Sequence, residues 1–484
     1  AFSNLPCVLQ CDQMISNPVI AKLSSGFHPT IPWFDPQNVT QLYEFQDSID
    51  YGMTLPYRVD ANSWSIDRYT DVSELELIEL RPGAAHIKGT LEYNPKDKSY
   101  SLKAAKGARL TGSSGISKIS LQYGLNFLDQ TTRFLQESGR DVSKADVINY
   151  CICITQGFIT TFAGAPGTGK TTLCRLLAQA MGLEEESGQA DSAARYAEVS
   201  VERGWTSLRD FIGYPNPFPS GDPQADDIIA SNVDACNAFR RMNEKRQSET
   251  PEAPPYLMLL DEANLSPIEY YWSQFLRNCQ LDDPDELPKR KINVSQKEAW
   301  ILSPILRFLA SVNFDHTTEE LSPRFLDRSW VITLKAPDRL PVRTKPAAPK
   351  TVPMSELNRL FGFPIEGETF PEQLTGVWTQ IRQAFQDKSV NMPLSPRNIL
   401  AVENYCIAAA RFSASEITAE QALDYAVLQK VLPTISGYGD RCESLVNRLT
   451  EIASEHRLTC TLEKLTEMSA AANQNSQFYQ FFVR

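Results

Sequence analysis

The chain has 484 residues, 42% of them hydrophobic and 22% charged, with a net charge of −12, a composition of ordinary globular proteins and a length that suits about three domains. No apolar run reaches the roughly eighteen residues a membrane-spanning helix needs, so no membrane association is expected. The excess of acid argues against a broad basic face laid on duplex DNA, while still allowing a narrow basic channel.

The start, Ala1-Phe2-Ser3-Asn4, has neither an initiator Met nor the basic-then-apolar order of a signal peptide, and reads as a processed chain or a piece of a longer one. Cys7 and Cys11, like Cys151 and Cys153, lack a second pair or a His at zinc-finger spacing. The ten cysteines, with Cys151, Cys174 and Cys406 on apolar helical faces, are therefore read as reduced, buried thiols of a cytoplasmic protein. Residues 1–112 are expected to form a small mixed β-rich domain that binds a target or acts as an adaptor. Glu74 to Leu80 reads as a strand, and Ile87 to Tyr93 and Ser99 to Leu102 flank a turn-rich Asn94-Pro95-Lys96-Asp97-Lys98, which is a hairpin signal. Trp33, Tyr51, Tyr57 and Trp64 suit either a recognition pocket or ordinary core packing.

From Ser113 the period becomes helical, with Leu121, Leu125, Leu128 and Leu135 on one face and a second helix over Lys144 to Gln156. Then the β-branched and aromatic Phe158 to Phe162 predicts a strand, followed by Gly164-Ala165-Pro166-Gly167-Thr168-Gly169-Lys170-Thr171-Thr172 and a helix carrying Leu173, Leu176, Leu177 and Ala180. A G-x-x-x-x-G-K-[ST] loop between a strand and a helix is a phosphate cradle, because glycine-freed backbone N–H groups and the helix N-terminus converge on one anion. A chance glycine-rich turn would not carry the Lys-Thr pair and both flanking elements together. Residues 164–172 are therefore expected to hold a nucleoside triphosphate, with Lys170 on the β- and γ-phosphates, Thr171 ligating Mg²⁺ and Thr172 near the α-phosphate.

Tyr196 to Val201 is the next strand, and a helix over Asp227 to Lys245 is expected to bury Ile229, Val233, Cys236 and Phe239 on one side. Tyr256 to Leu260, running into Asp261-Glu262, is continuously apolar and fits a strand buried on both faces of a parallel sheet. Lys289-Arg290-Lys291 reads as a solvated loop, while Leu306 to Asn313 and Trp330 to Leu334 are further core strands. Alternating strands and helices make residues 113–338 a right-handed α/β sandwich. Residues 336 to 352 are rich in Pro, Lys and Ala, and a linker is drawn at 339–352. From 353 to 484 the chain reads as helical to its end, with Ser395-Pro396 as the N-cap and N1 pair of a helix bearing Ile399, Val402, Cys406 and Ala409.

Asp261-Glu262 at the end of an apolar strand has the form of a Walker B pair. The first carboxylate is expected to hold Mg²⁺ and the second to deprotonate the attacking water, unless both acids merely cap the strand. Asn313 ends the next strand, where it suits either the bridging of water and phosphate or the start of a turn. Arg324 and Arg328, four apart, are expected on one helical face as surface ion pairs or as arginine fingers. Arg397, a cation in the first turn of a helix, opposes the helix dipole and calls for an anion, expected to be nucleotide phosphate.

The phosphate loop, Asp261-Glu262, Asn313, Arg328 and Arg397, in that order, resemble an AAA+ ATPase over residues 113–484. Within that class, Val201-Glu202-Arg203-Gly204-Trp205-Thr206-Ser207-Leu208-Arg209-Asp210-Phe211-Ile212-Gly213-Tyr214 with Asn216-Pro217 resembles the McrB-like branch, the motor subunits of modification-dependent restriction systems. Asp261-Glu262-Ala263-Asn264-Leu265, Val312-Asn313-Phe314-Asp315 and Val431-Leu432-Pro433 are similar to it as well. The resemblance implies a three-layer αβα P-loop domain with a C-terminal helical lid, a hexameric homo-oligomer with shared sites, Mg²⁺ as cofactor, and a separate nuclease or effector subunit, with DNA as a target. McrB itself is similar to a GTPase with a Met-Asn-Thr-Ala-Asp-type signature, whereas this chain has Val312-Asn313-Phe314-Asp315-His316-Thr317-Thr318, so ATP is expected ahead of GTP. No nuclease carboxylate cluster with a following Lys stands outside the motor domain, so cleavage would come from another chain. The competing resemblance is to MoxR-like or dynein-related ATPases that remodel protein complexes.

Overall fold

The computed structural model describes residues 7–11, 75–79, 85–94, 99–104, 111–112, 118–183, 194–215, 228–230, 232–243, 252–277, 279, 291–294, 299–315, 318–335, 351–365, 367–412, 416–474 and 476–482, with Pro215, Ile228, Asp234 and everything before 127 by backbone alone. Trp33, Tyr51, Tyr57, Trp64, Asn216-Pro217, Lys289-Arg290, His316-Thr317 and linker residues 339–350 lie outside these. The chain divides into two compact units, Ala1–Gly124 with Ile365–Glu368, and Leu125–Pro364 with Thr369–Arg484.

In the first unit, β1 (Cys7–Cys11), β2 (Leu75–Glu79), β3 (Ala85–Asn94) and β4 (Ser99–Ala104) pair in that order, and β5 (Thr111–Gly112) pairs with β3. Every pairing is antiparallel. Asn94 stands opposite Ser99, so the two strands expected on either side of the turn-rich residues do pair antiparallel.

The second unit is built on β6 (Ile159–Ala163), β7 (Tyr196–Ser200), the short pair β8 (Tyr214–Pro215) and β9 (Ile228–Ile229), β10 (Tyr256–Asp261), the hairpin β11 (Lys291–Asn293) and β12 (Ala299–Ile301), β13 (Leu306–Val312) and β14 (Ser329–Thr333). Its sheet runs β14-β6-β13-β10-β7, and all four pairings are parallel. The inner strands of this sheet are covered on both faces, whereas the edge strand β7 leaves Glu198 half-buried and Ser200 exposed. All seven residues of β13 and all five of β6 are buried. The flanking helices make the unit α/β and compatible with three layers.

Two helices show how local chemistry sets the ends of elements. Lys144–Gln156 begins at Ser143, whose hydroxyl accepts the Asp146 N–H while the Asp146 carboxylate accepts the Ser143 N–H, a capping box. Val233–Arg241 begins later than expected because the Asn232 side chain accepts the Ala235 N–H and so caps it there. Ile228 and Ile229 are instead drawn into pairing with Pro215 and Tyr214. Ile229 and Val233 are accordingly exposed, correcting the expected apolar face, while Cys236 and Phe239 are buried.

One face of the sheet is filled by aromatic rings. Trp272 packs edge-on to Phe308 at 5.1 Å and is stacked on Phe275 at 5.5 Å, and Phe158 meets Phe308 at 5.4 Å. Trp205 joins this core, edge-on to Tyr271 at 5.3 Å. Truncating a ring as deeply buried as Trp272 would cost about 3–5 kcal/mol through lost transfer energy and the cavity left behind.

Beyond residue 353 the chain forms the helices Met354–Phe361, Thr375–Gln386, Pro396–Ala410, Ala419–Ala426, Asp440–Glu455 and Thr459–Gln474. It is not helical to its end. β15 (Ser436–Tyr438) pairs antiparallel with β16 (Phe478–Gln480), bridging the two longest of these helices. That pairing spans some forty residues and leaves no mark on local periodicity. No helix among the described residues is long and apolar enough to cross a membrane.

Candidate nucleotide site

β6 ends at Ala163, and the chain turns through the loop into the helix Lys170–Ala180. Gly167 and Gly169 have φ of +84° and +77°, which a side chain at Cβ would strain, so glycine is required for this turn. Ala165, Pro166 and Gly167 are exposed and Gly164 and Thr171 are half-buried, whereas Thr168 and Lys170 are buried. The Lys170 ammonium donates to the carbonyls of Gly164 and Ala165 at 3.0 and 2.9 Å, folded back across the mouth of the loop. Burial lowers its pKa, opposed by the charges of Asp261 and Glu262. Thr172 is exposed on the first turn of the helix.

The parallel register brings the end of β10 beside this loop. Thr171 Oγ1 donates to Asp261 Oδ1 at 2.6 Å, and Ser311 Oγ, on the adjacent β13, donates to the same oxygen at 2.6 Å. Glu262 follows in the left-handed region at φ 53°, with its N–H held by Ser311 Oγ at 2.8 Å. A left-handed non-glycine residue costs of order 1–3 kcal/mol and persists where its surroundings over-determine it. The turn leaves the Glu262 carboxylate exposed, one residue from the Thr171–Asp261 pair.

Asn313 stands one residue past β13, and Asn264 fixes it there. The Asn264 amide donates to the Asn313 carbonyl at 2.7 Å and to the Glu319 carbonyl at 3.0 Å, and its Oδ1 accepts the Asn313 N–H at 3.2 Å. Thr318 Oγ1 also donates to the Asn313 carbonyl, at 3.0 Å. The Asn313 side-chain Oδ1 is buried with no partner among the described residues. A buried acceptor left open beside a carboxylate pair suits an ordered water. An Mg²⁺–nucleotide fits this set of groups: hydroxyl and carboxylate oxygens for the hard cation, a lysine and free loop N–H groups for the phosphates.

The two arginines and Arg397 gather elsewhere. The helix Pro323–Leu326 ends before Arg328, so Arg324 and Arg328 do not share a helical face; instead Arg328 donates to the Arg324 carbonyl at 2.9 Å. Arg324 is exposed and Arg328 half-buried, its pKa lowered by burial and by the nearby charge of Arg397. Arg397 is in the first turn of its helix as expected, but its observed anion is the Asp327 carboxylate. Burial alone would raise the Asp327 carboxyl, yet the Ser395 hydroxyl, donating at 2.6 Å, and Arg397 outweigh it and hold the group below the usual carboxylate range. Asp327 precedes Ser329, which is level with Ile159 at the start of β6, whereas the phosphate loop leaves the other end after Ala163. At 3.3 Å per residue the two ends are roughly 15 Å apart. The structure thus unites Lys170, Thr171, Asp261, Glu262 and Asn313, and sets Arg328 with Arg397 at the opposite end of the strands.

Four contributors escaped the sequence reading. Ser311 was visible only as a lone hydroxyl in an apolar strand, Asn264 as a polar residue beside Asp261-Glu262, and Asp327 as an acid between two arginines. Arg140 carried no signal. It donates to the carbonyls of Thr168 and Gly169 at 3.4 and 2.5 Å, bracing the loop from behind. Among the described residues no cluster of three or more His, Cys, Asp or Glu is placed to hold a metal ion, and Cys151, Cys174 and Cys406 are buried free thiols.

A family model described as a domain of unknown function, DUF8727, matches residues 356–478. It takes in Arg397 and leaves out the phosphate loop, Asp261-Glu262 and Asn313. No curated protein matches the chain.

Proposed function

We propose that this chain is an AAA+ nucleoside triphosphatase of the McrB-like branch, working in the cytoplasm as a ring of six copies, with ATP as substrate in preference to GTP. The observation that carries the reading is the Thr171–Asp261 contact beside Lys170, with Glu262 one residue on and the open acceptor of Asn313 nearby. The sheet is compatible with it, since the loop strand β6 lies inside a parallel five-stranded sheet, between β14 and β13.

On this reading Lys170 leaves the Gly164 and Ala165 carbonyls for the β- and γ-phosphates, where a fixed cation is worth far more than in water. Thr171 and Asp261 hold Mg²⁺, which when bound neutralises charge on the phosphates. Glu262 takes a proton from the attacking water, and Asn313 Oδ1 accepts the other hydrogen, orienting the water for in-line attack. Asn264 keeps Asn313 in place. Arg328 and Arg397, lying far from their own loop, face an adjacent copy and supply positive charge to its γ-phosphate. Hydrolysis would then drive remodelling or translocation, with a separate nuclease or effector subunit and a DNA target as partners. The first test is Mg²⁺-dependent ATP hydrolysis by the purified chain that rises more steeply than its concentration. A rate strictly proportional to concentration at every dilution, with a single copy in sedimentation, would count against the ring.

A further inference from the structure

Val427–Val431 winds as a π-helix, an irregularity common where a side chain must be aimed. Lys430 in this turn is 2% exposed. Its ammonium donates to the Asp327 carbonyl at 2.9 Å and to the Ser329 carbonyl at 3.0 Å, gripping the main chain on both sides of Arg328. It also stands 5.6 Å over the ring of Trp330, a cation–π contact. Meanwhile the side chain of Asp327 is held by Ser395 and Arg397, from the start of another helix. Arg328 is therefore seated by three residues that all come from the segment beyond residue 353. An ammonium is an expensive way to satisfy two carbonyls in a buried place, since a neutral donor would avoid most of the desolvation cost. What the ammonium adds is a rigid grip at one defined point of the chain.

We propose that Lys430 is a positioning residue that holds the backbone of Arg328 in the geometry needed to act on an adjacent copy's triphosphate, so that the helical segment governs turnover. This rests on the shared-site reading above. Steady-state hydrolysis by the full chain is compared for the parent, Lys430→Met, Arg328→Ala and the double variant. Lys430→Met is expected to lower kcat at least about tenfold with KM for Mg-ATP within about twofold, since the chain's own loop is untouched. In the Arg328→Ala background the same change should cost less than about twofold, because residues acting as a unit are not additive. Lys430→Gln, which keeps two N–H donors, should recover part of the loss, and it takes the place of Lys430→Met in the cycle if melting curves show the latter unfolded. Equal fold-losses in both backgrounds, or a parent rate for Lys430→Met, overturn the proposal. Failure of the shared-site reading looks different: Arg328→Ala alone then keeps the parent rate, and a slowed Lys430→Met in that case also overturns the role given to Lys430.

Discussion

Thr171 and Asp261 are ninety residues apart in the chain and 2.6 Å apart in space, hydroxyl to carboxylate. The contact joins the helix after the phosphate loop to the strand carrying Glu262. Changing Glu262→Gln leaves that contact and the proposed Mg²⁺ ligands in place while removing the proposed base. Hydrolysis should fall by roughly two to four decades, with the ATP-induced rise in melting temperature retained. Unchanged turnover would mean that another acid activates the water.

Asn264 is 1% exposed and makes three hydrogen bonds to the main chain at Asn313 and Glu319. Asn264→Ala would take the partner from the Asn313 N–H and the Glu319 carbonyl, while the Asn313 carbonyl keeps Thr318, at about 1–3 kcal/mol. A shift of the urea midpoint in that direction, with kcat lowered beyond what unfolding explains, is the expected result. A variant with the parent's kcat would show that Asn313 keeps its place unaided.

Nucleotide preference can be read by thermal shift, because a ligand that binds only the folded state at a hundred times its Kd stabilises by about 2.7 kcal/mol. ATP with Mg²⁺ should raise the melting temperature more than GTP at equal concentration. The reverse order would bring the chain closer to McrB itself.

Arg328 should complete a neighbour's site and not its own, since it lies at the far end of β14 from the loop. Such a residue is worth on the order of 10³ to 10⁵ in rate, against ~0–1 kcal/mol for a surface ion pair. Mixing Arg328→Ala with Lys170→Ala protein should restore hydrolysis, because some interfaces then pair an intact loop with an intact arginine. Mixed rings that stay inactive would refute the sharing. An Arg328→Ala chain at the parent rate would pass the role to the exposed Arg324.

Burial pushes the Lys430 ammonium down to about 8 from 10.5, with Asp327 opposing and Arg397 reinforcing the shift. Between those values the unfolded chain holds a proton that the folded chain has released, so this residue's contribution to stability grows as pH rises from about 8 to 10.5. The full span is on the order of 3 kcal/mol. Denaturation at pH 7.5 and 9.5 should show the parent gaining on Lys430→Met at the higher pH. A difference that does not change with pH would place Lys430 in a wetter setting.

The strand, glycine turn and helix around residues 164–172, the buried strands β10 and β13 and the Ser395-Pro396 helix start were legible in the residues themselves, because each rests on local signals: glycine where φ is positive, a largely apolar run where both faces are covered, a hydroxyl where a helix begins. What decides the site is not local. Parallel strands joined by helical crossovers set residues from β6, β10 and β13 side by side, and only that register could give Asp261 its two hydroxyl donors or Asn313 its support from Asn264. Helix-dipole reasoning rightly asked for an anion at Arg397 but could not choose between phosphate and Asp327, since the choice depends on which end of the sheet the helix meets. The same holds for β15 and β16, where some forty intervening residues separate partners that no periodicity links.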